Sequence, residues 1–245
     1  QEDAVNSAPD SVYARKVIKE LSSERYYGRA YNRRGDSLAA EYLRSEMRSI
    51  GLTPMGDDYF QHYVINGVYG IEGDGTLKLN GRLLEPFKDY RLVSAARYEK
   101  KNPATKQNHK QLVDSVWIFG KEQLDTYSPF SSSTPLTHPY CIEVLNSKMP
   151  WKVRNMQLDY RAVYYQDYQT QNVCGYIPGQ VDTMVIYSAH YDHCGMMGDN
   201  LLFPGAHDNA SGVAAVLDIA RMAMVDKPYY TMVFMLFTYV CTFSL

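Results

Sequence analysis

The chain is sparing with cysteine. Its four, Cys141, Cys174, Cys194 and Cys241, form no C-x-x-C pair, so the sequence indicates neither a structural zinc finger nor a redox motif. Charge of one sign is equally scarce: 25 Lys and Arg stand against 27 Asp and Glu, a net −2 that suggests neither a nucleic-acid nor an anionic-membrane partner. The polar segment 97–111 reads as a solvated loop. No repeat or low-complexity tract occurs. Ser211 lies in no G-x-S-x-G turn, which leaves serine-hydrolase chemistry without support. The stretch from Tyr229 to Leu245 has no charge, but Thr231, Thr238, Thr242 and Ser244, following the breaker Pro228, favour a buried strand over a membrane span.

What the chain has in quantity is tyrosine, 22 of 245 residues, spread along strand-like segments as in ordinary β packing. Pro9 and Asp10 open a helix with Tyr13, Ala14, Val17, Ile18 and Leu21 on one face. A second helix from about Ser37 carries Ala39, Tyr42, Leu43, Met47 and Ile50 inward and is stopped by Gly51 and Pro54. From Gln61 to Leu84 the pattern changes to a β meander with Asp74-Gly75 and Asn80-Gly81 turns. Val113 to Phe119 reads as a strand, and 128–139 as a Ser/Pro-rich connection containing His138. Met156 to Gln169 alternates as an exposed strand, and Asn172 to Gly179 makes a separate short one.

The stretch from Asp182 to Arg221 concentrates the chemistry. Val185, Ile186 and Tyr187 are an unalternating apolar run, the signature of a strand buried on both faces of a helix-covered sheet. His190 and Asp192 come at its carboxyl end, where side chains two residues apart point the same way and where open α/β sheets bind ligands. A loop with Gly195, Gly198, Pro204 and Gly205 leads to Asp208, just ahead of a predicted helix over Asn209 to Val225. Asp208 has two readings at this point, a helix N-cap or a carboxylate shared between cations. His193 and Cys194 read as polar loop residues and His207 as a wall residue, because no partner lies at finger spacing. The sequon Asn209-Ala210-Ser211 falls on the same loop and is discounted as a glycan site.

H-x-D after an apolar strand, followed by Gly205 to Gly212 (G-A-x-D-N-A-S-G) opening a helix, resembles the co-catalytic dizinc aminopeptidases of the bacterial leucyl aminopeptidase type, metallopeptidase clan MH. Leu21 to Arg29 (L-S-x-E-R-x-x-G-R), Ile50 to Pro54 (I-G-L-x-P) and Asn172 to Gly179 (N-V-x-G-Y-I-P-G) resemble the same family. The resemblance implies an α/β domain with a central, mostly parallel (mixed) sheet flanked by helices, a phosphorylase/hydrolase-like zinc peptidase fold. It implies His190 as a zinc ligand, Asp192 as the carboxylate that orients it, Asp208 as the bridge between zincs, and peptide substrates cut at the amino terminus. Related scaffolds carry carboxypeptidases and glutaminyl cyclases; a non-catalytic binding module is the reading from another class. Family members often carry an inserted β-rich subdomain where this chain has 82–150, within an otherwise single domain over 1–245.

In the family, the strand that ends near Thr238 is followed by Gly-Glu-Glu, the base and a further ligand, and later by an Asp and a His. Here Tyr239, Val240 and Cys241 follow instead. The sequence as written is therefore expected to be truncated, frame-shifted after Thr238 or a natural non-enzyme, to hold at most one zinc weakly, and to lack appreciable peptidase activity. A start at Gln1 with a polar lead fits a mature periplasmic or extracellular protein after signal removal, or a trimmed chain.

Overall fold

The computed structural model describes residues 9–94, 110–113, 116–124 and 140–238. Three helices, α1 (Ser11–Leu21), α2 (Gly35–Ile50) and α3 (Ser211–Ala223), accompany fourteen described strands. In chain order these are β1 (Thr53–Pro54), β2 (Phe60–Glu72), β3 (Leu77–Leu79), β4 (Arg82–Leu84), β5 (Tyr90–Ser94), β6 (Lys110–Val113) and β7 (Val116–Lys121). Then come β8 (Tyr140–Leu145), β9 (Met156–Leu158), β10 (Arg161–Ile177), β11 (Val181–His190), β12 (Met196–Met197), β13 (Leu201–Leu202) and β14 (Tyr230–Phe237). The chain divides into two compact units. Among the described residues, one comprises 9–64, 169–195 and 203–238, the other 65–94, 110–113, 116–124, 140–168 and 196–202.

The first unit holds all three helices. Asp10 caps α1, its carboxylate accepting from the backbone N–H of Val12 and Tyr13, which satisfies two donors that the helix itself cannot. Gly51, at φ 93°, ends α2 in the left-handed conformation that glycine adopts without a Cβ penalty. Val17 and Leu21 of α1, Leu43 and Met47 of α2, and Val213 and Leu217 of α3 are fully buried in one core with Val173, Phe234 and Leu236 of the sheet. That sheet is mixed, in the order β1-β10-β14-β11 with β2 also on β10. β14 runs antiparallel to β10 and parallel to β11, and its register sets His190 opposite Phe237. No described helix is long and apolar enough to cross a membrane.

Four expectations change. β11 is not buried on both faces: among the described strands it pairs with β14 alone, and Met184 and Ile186 are 59% and 58% exposed. Its apolar run has a covering layer on one side only. The meander over Gln61–Leu84 is broken as well, because β2 pairs with β10 while β3 pairs with β4 and β9. Gly73 and Gly75, both at positive φ, turn the chain out of β2 between them. Arg161–Ile177 is one continuous strand where two were expected; no Gly or Pro interrupts it between Gln169 and Asn172. The strand expected over Val113–Phe119 divides into β6 and β7, an antiparallel pair.

The second unit contains the stretch 82–150 and is β-rich. It has a three-stranded sheet, β4-β3-β9, and a four-stranded sheet, β5-β8-β7-β6. Arg91 and Glu143 form a buried ion pair inside the latter, 2.5 Å apart, with Lys121 3.3 Å from the same carboxylate. Burying these charges is tolerable only because they are paired. Segment 97–109, His138 and residues 239–245 lie outside the described residues.

Candidate metal centre

His190 is the last residue of β11, at the carboxyl end of its parallel pairing with β14. Its ring is held between two carboxylates. Nδ1 lies 3.2 Å from the Asp192 carbonyl oxygen and 3.5 Å from Asp192 Oδ1. Nε2 lies 3.1 Å from Asp208 Oδ1. The Asp192 carboxylate, 2% exposed, is the main cause that raises the His190 pKa above its ordinary value, against the opposing effect of burial. A buried carboxylate on one ring nitrogen fixes the tautomer and directs the other nitrogen, with its lone pair, toward an ion.

Asp208 reaches the site from a single irregular turn. Helix α3 begins at Ser211, two residues after the expected start, because Ala206–Ala210 forms a wide turn in which Asp208 (φ −115°, ψ 96°) and Asn209 (φ −130°, ψ 37°) are not helical. The N-cap reading of Asp208 gives way here. Asn209 does the capping, its Oδ1 accepting from the Gly212 N–H at 3.1 Å, while the Asp208 carboxylate faces the imidazoles and is 44% exposed. Gly212 has no side chain because a Cβ there would stand 2.3 Å from Asn209 Oδ1.

His193, expected to be an ordinary loop residue, is part of the cluster. Its Nδ1 lies 3.4 Å from Asp208 Oδ2, so the two oxygens of Asp208 face two different imidazoles. Burial first, and the Arg29 guanidinium second, push its pKa down to about 4. It is therefore neutral near pH 7 and adds no positive charge where a cation would bind. Nothing in the sequence signals this position, because the turn that carries it inward is set from elsewhere: the His193 N–H donates to the Arg29 carbonyl, and the Gly195 N–H to that of Gly28. Cys194 is half-buried.

The residues fit zinc in one respect that can be measured. Two ligand atoms at ~2.0–2.1 Å from a tetrahedral ion lie about 3.3 Å apart, and His190 Nε2 and Asp208 Oδ1 are 3.1 Å apart. Among the described residues no group of three or more His, Cys, Asp or Glu side chains is arranged around one point. His190 and His193 meet different oxygens of Asp208, so they do not converge on a single ion.

Residues 172–239 match peptidase family M28. The fold matches BSAP, a zinc aminopeptidase from Bacillus subtilis, with a TM-score of 0.61 at 17% identity over 95% of this chain. It also matches an aminopeptidase from Aneurinibacillus sp. strain AM-1 (TM-score 0.52, 14% identity, 94% of this chain and 62% of that one). A third match is a peptidase M28 precursor from Shewanella amazonensis (TM-score 0.53, 12% identity, 92% of this chain and 66% of that one). The chain thus resembles peptidase family M28 in sequence over the segment that carries His190 and Asp208, and these structures in fold over nearly its whole length. It spans 62% of the length of the Bacillus enzyme. No curated protein matches it.

Proposed function

We propose that His190 and Asp208 hold a zinc ion, that Asp192 orients His190, and that this centre belongs to a zinc-dependent aminopeptidase cutting amino-terminal peptide bonds. The observation that carries the reading is the 3.1 Å approach of Nε2 to Oδ1, from two motifs eighteen positions apart in the M28 segment. When bound, zinc polarises a carbonyl and lowers the pKa of a bound water to about 7. The work of this chain's own residues is to bind and orient. Asp192 holds the proton on Nδ1 so that Nε2 is free for the ion, and Asp208 Oδ1 brings negative charge to it. Oδ2 is turned toward the neutral His193 and leaves Oδ1 to the ion. His190 is 20% exposed and Asp208 44%, so an ion and a peptide amine can reach them from solvent.

The described residues supply two donors, and a catalytic zinc takes three besides its water. Binding here is accordingly weak and single, and hydrolysis needs donors and a base beyond them. Calorimetric titration of the metal-free chain with zinc tests the reading. One site is expected, lost in His190→Ala and at least tenfold weaker in Asp208→Asn. Titrations that neither substitution alters would refute it.

A further inference from the structure

Arg29 is fully buried, and its guanidinium donates only to backbone carbonyls in the contacts that follow. Nε reaches the Tyr191 oxygen at 2.7 Å; Nη1 reaches those of Leu21 at 2.5 Å and Pro204 at 2.8 Å. Nη2 reaches the Gly205 oxygen at 2.8 Å and the Asp208 oxygen at 3.4 Å. Tyr191 lies between His190 and Asp192; Pro204, Gly205 and Asp208 belong to the turn that presents the other carboxylate. One side chain therefore ties together the two loops whose separation defines the site.

Its own backbone is laced in as well. Tyr27, Gly28 and Arg29 all have positive φ, at 47°, 66° and 55°, and the carbonyls of Gly28 and Arg29 accept from Gly195 and His193. Gly205, also at positive φ, lies so close that a Cβ there would meet Arg29 Nη2 and His193 Cδ2 at 2.5 Å each. Burying a guanidinium is expensive unless its N–H groups are satisfied. Five N–H groups in a rigid plane can span two loops at once, whereas a lysine ammonium offers three donors from one point.

We propose that Arg29 is the positioning residue of the metal centre: its guanidinium fixes the loop after His190 against the turn carrying Asp208, and so sets the spacing that an ion requires. This rests on the zinc reading above. A ligand pair displaced by about 1 Å loses much of its function, so the effect of Arg29 should appear in metal affinity and in the two loops rather than throughout the core.

The test combines zinc titration with amide hydrogen exchange on the native chain, Arg29→Lys and Arg29→Gln. Both variants are expected to bind zinc at least tenfold more weakly. Amides 191–195 and 205–210 should exchange at least tenfold faster, with those of β10 and β14 unchanged. Zinc affinity equal to that of the native chain in a folded variant overturns the proposal. So does exchange that rises uniformly, or failure of both variants to fold, since each marks a general core residue. If the native chain binds no zinc, the metal reading itself fails; exchange then decides alone, local acceleration supporting the clasp and uniform or absent acceleration overturning it.

Discussion

Nε2 of His190 faces Oδ1 of Asp208 at 3.1 Å, while Nδ1 of the same ring faces the buried Asp192. The imidazole is polarised from both sides, and the two carboxylates differ in kind. Asp192 is enclosed, at 2% exposure, whereas Asp208, at 44%, is open to solvent.

Asp192→Asn should separate these roles. The amide keeps the shape but loses the charge that raises the His190 pKa. Zinc affinity is expected to fall by roughly 10- to 100-fold, the usual cost of losing a carboxylate behind a ligating histidine. Calorimetry checks this, and an NMR titration of the metal-free variant should find His190 moved back toward its ordinary value.

The two histidines of the metal-free chain should together contribute most to stability near pH 6.5. His193, with its pKa lowered to about 4, is protonated first in the unfolded state. Its contribution is complete above pH 6.5 and is lost as pH falls toward 4. His190 is raised, so its contribution is complete below pH 6.5 and is lost as pH climbs through the raised value. The acid limb is on the order of 1–3 kcal/mol. Urea unfolding from pH 4 to 8 should show it, and His193→Ser should flatten it; an unchanged acid limb in that variant would assign it to other groups.

Gly28 admits no side chain. It combines a φ of 66° with an approach that would place a Cβ 2.2 Å from the Gly195 carbonyl oxygen. Gly28→Ala is expected to cost more than ~3 kcal/mol, since strain and a backbone clash act together. Thermal and urea unfolding would show the loss. Gly81→Ala, with φ 81° but nothing within 4 Å, carries the strain alone and should cost less.

The parts legible in the sequence were those with a local cause. Asp10 and Gly51 mark helix ends through short-range capping, and His190 closes β11 with Asp192 only two residues beyond, within reach of its ring. Other features depend on distant partners. The apolar run Val185–Tyr187 says that β11 belongs in a sheet, but exposure depends on what lies over each face, and Ile186 is 58% exposed. His193 joins the site through a turn held by Arg29, a residue 164 positions earlier in the chain. Arg29 closes the L-S-x-E-R-x-x-G-R motif, but its contacts do not show there, because five backbone carbonyls leave no pattern in side-chain identity.

Metal analysis of the purified chain after equilibrium dialysis against zinc decides whether His190 and Asp208 together hold a metal ion. No more than one zinc per chain is expected, removed by a mild chelator, absent from His190→Ala and reduced in Asp208→Asn. Two tightly held zincs per chain, or one whose retention neither substitution changes, would contradict it.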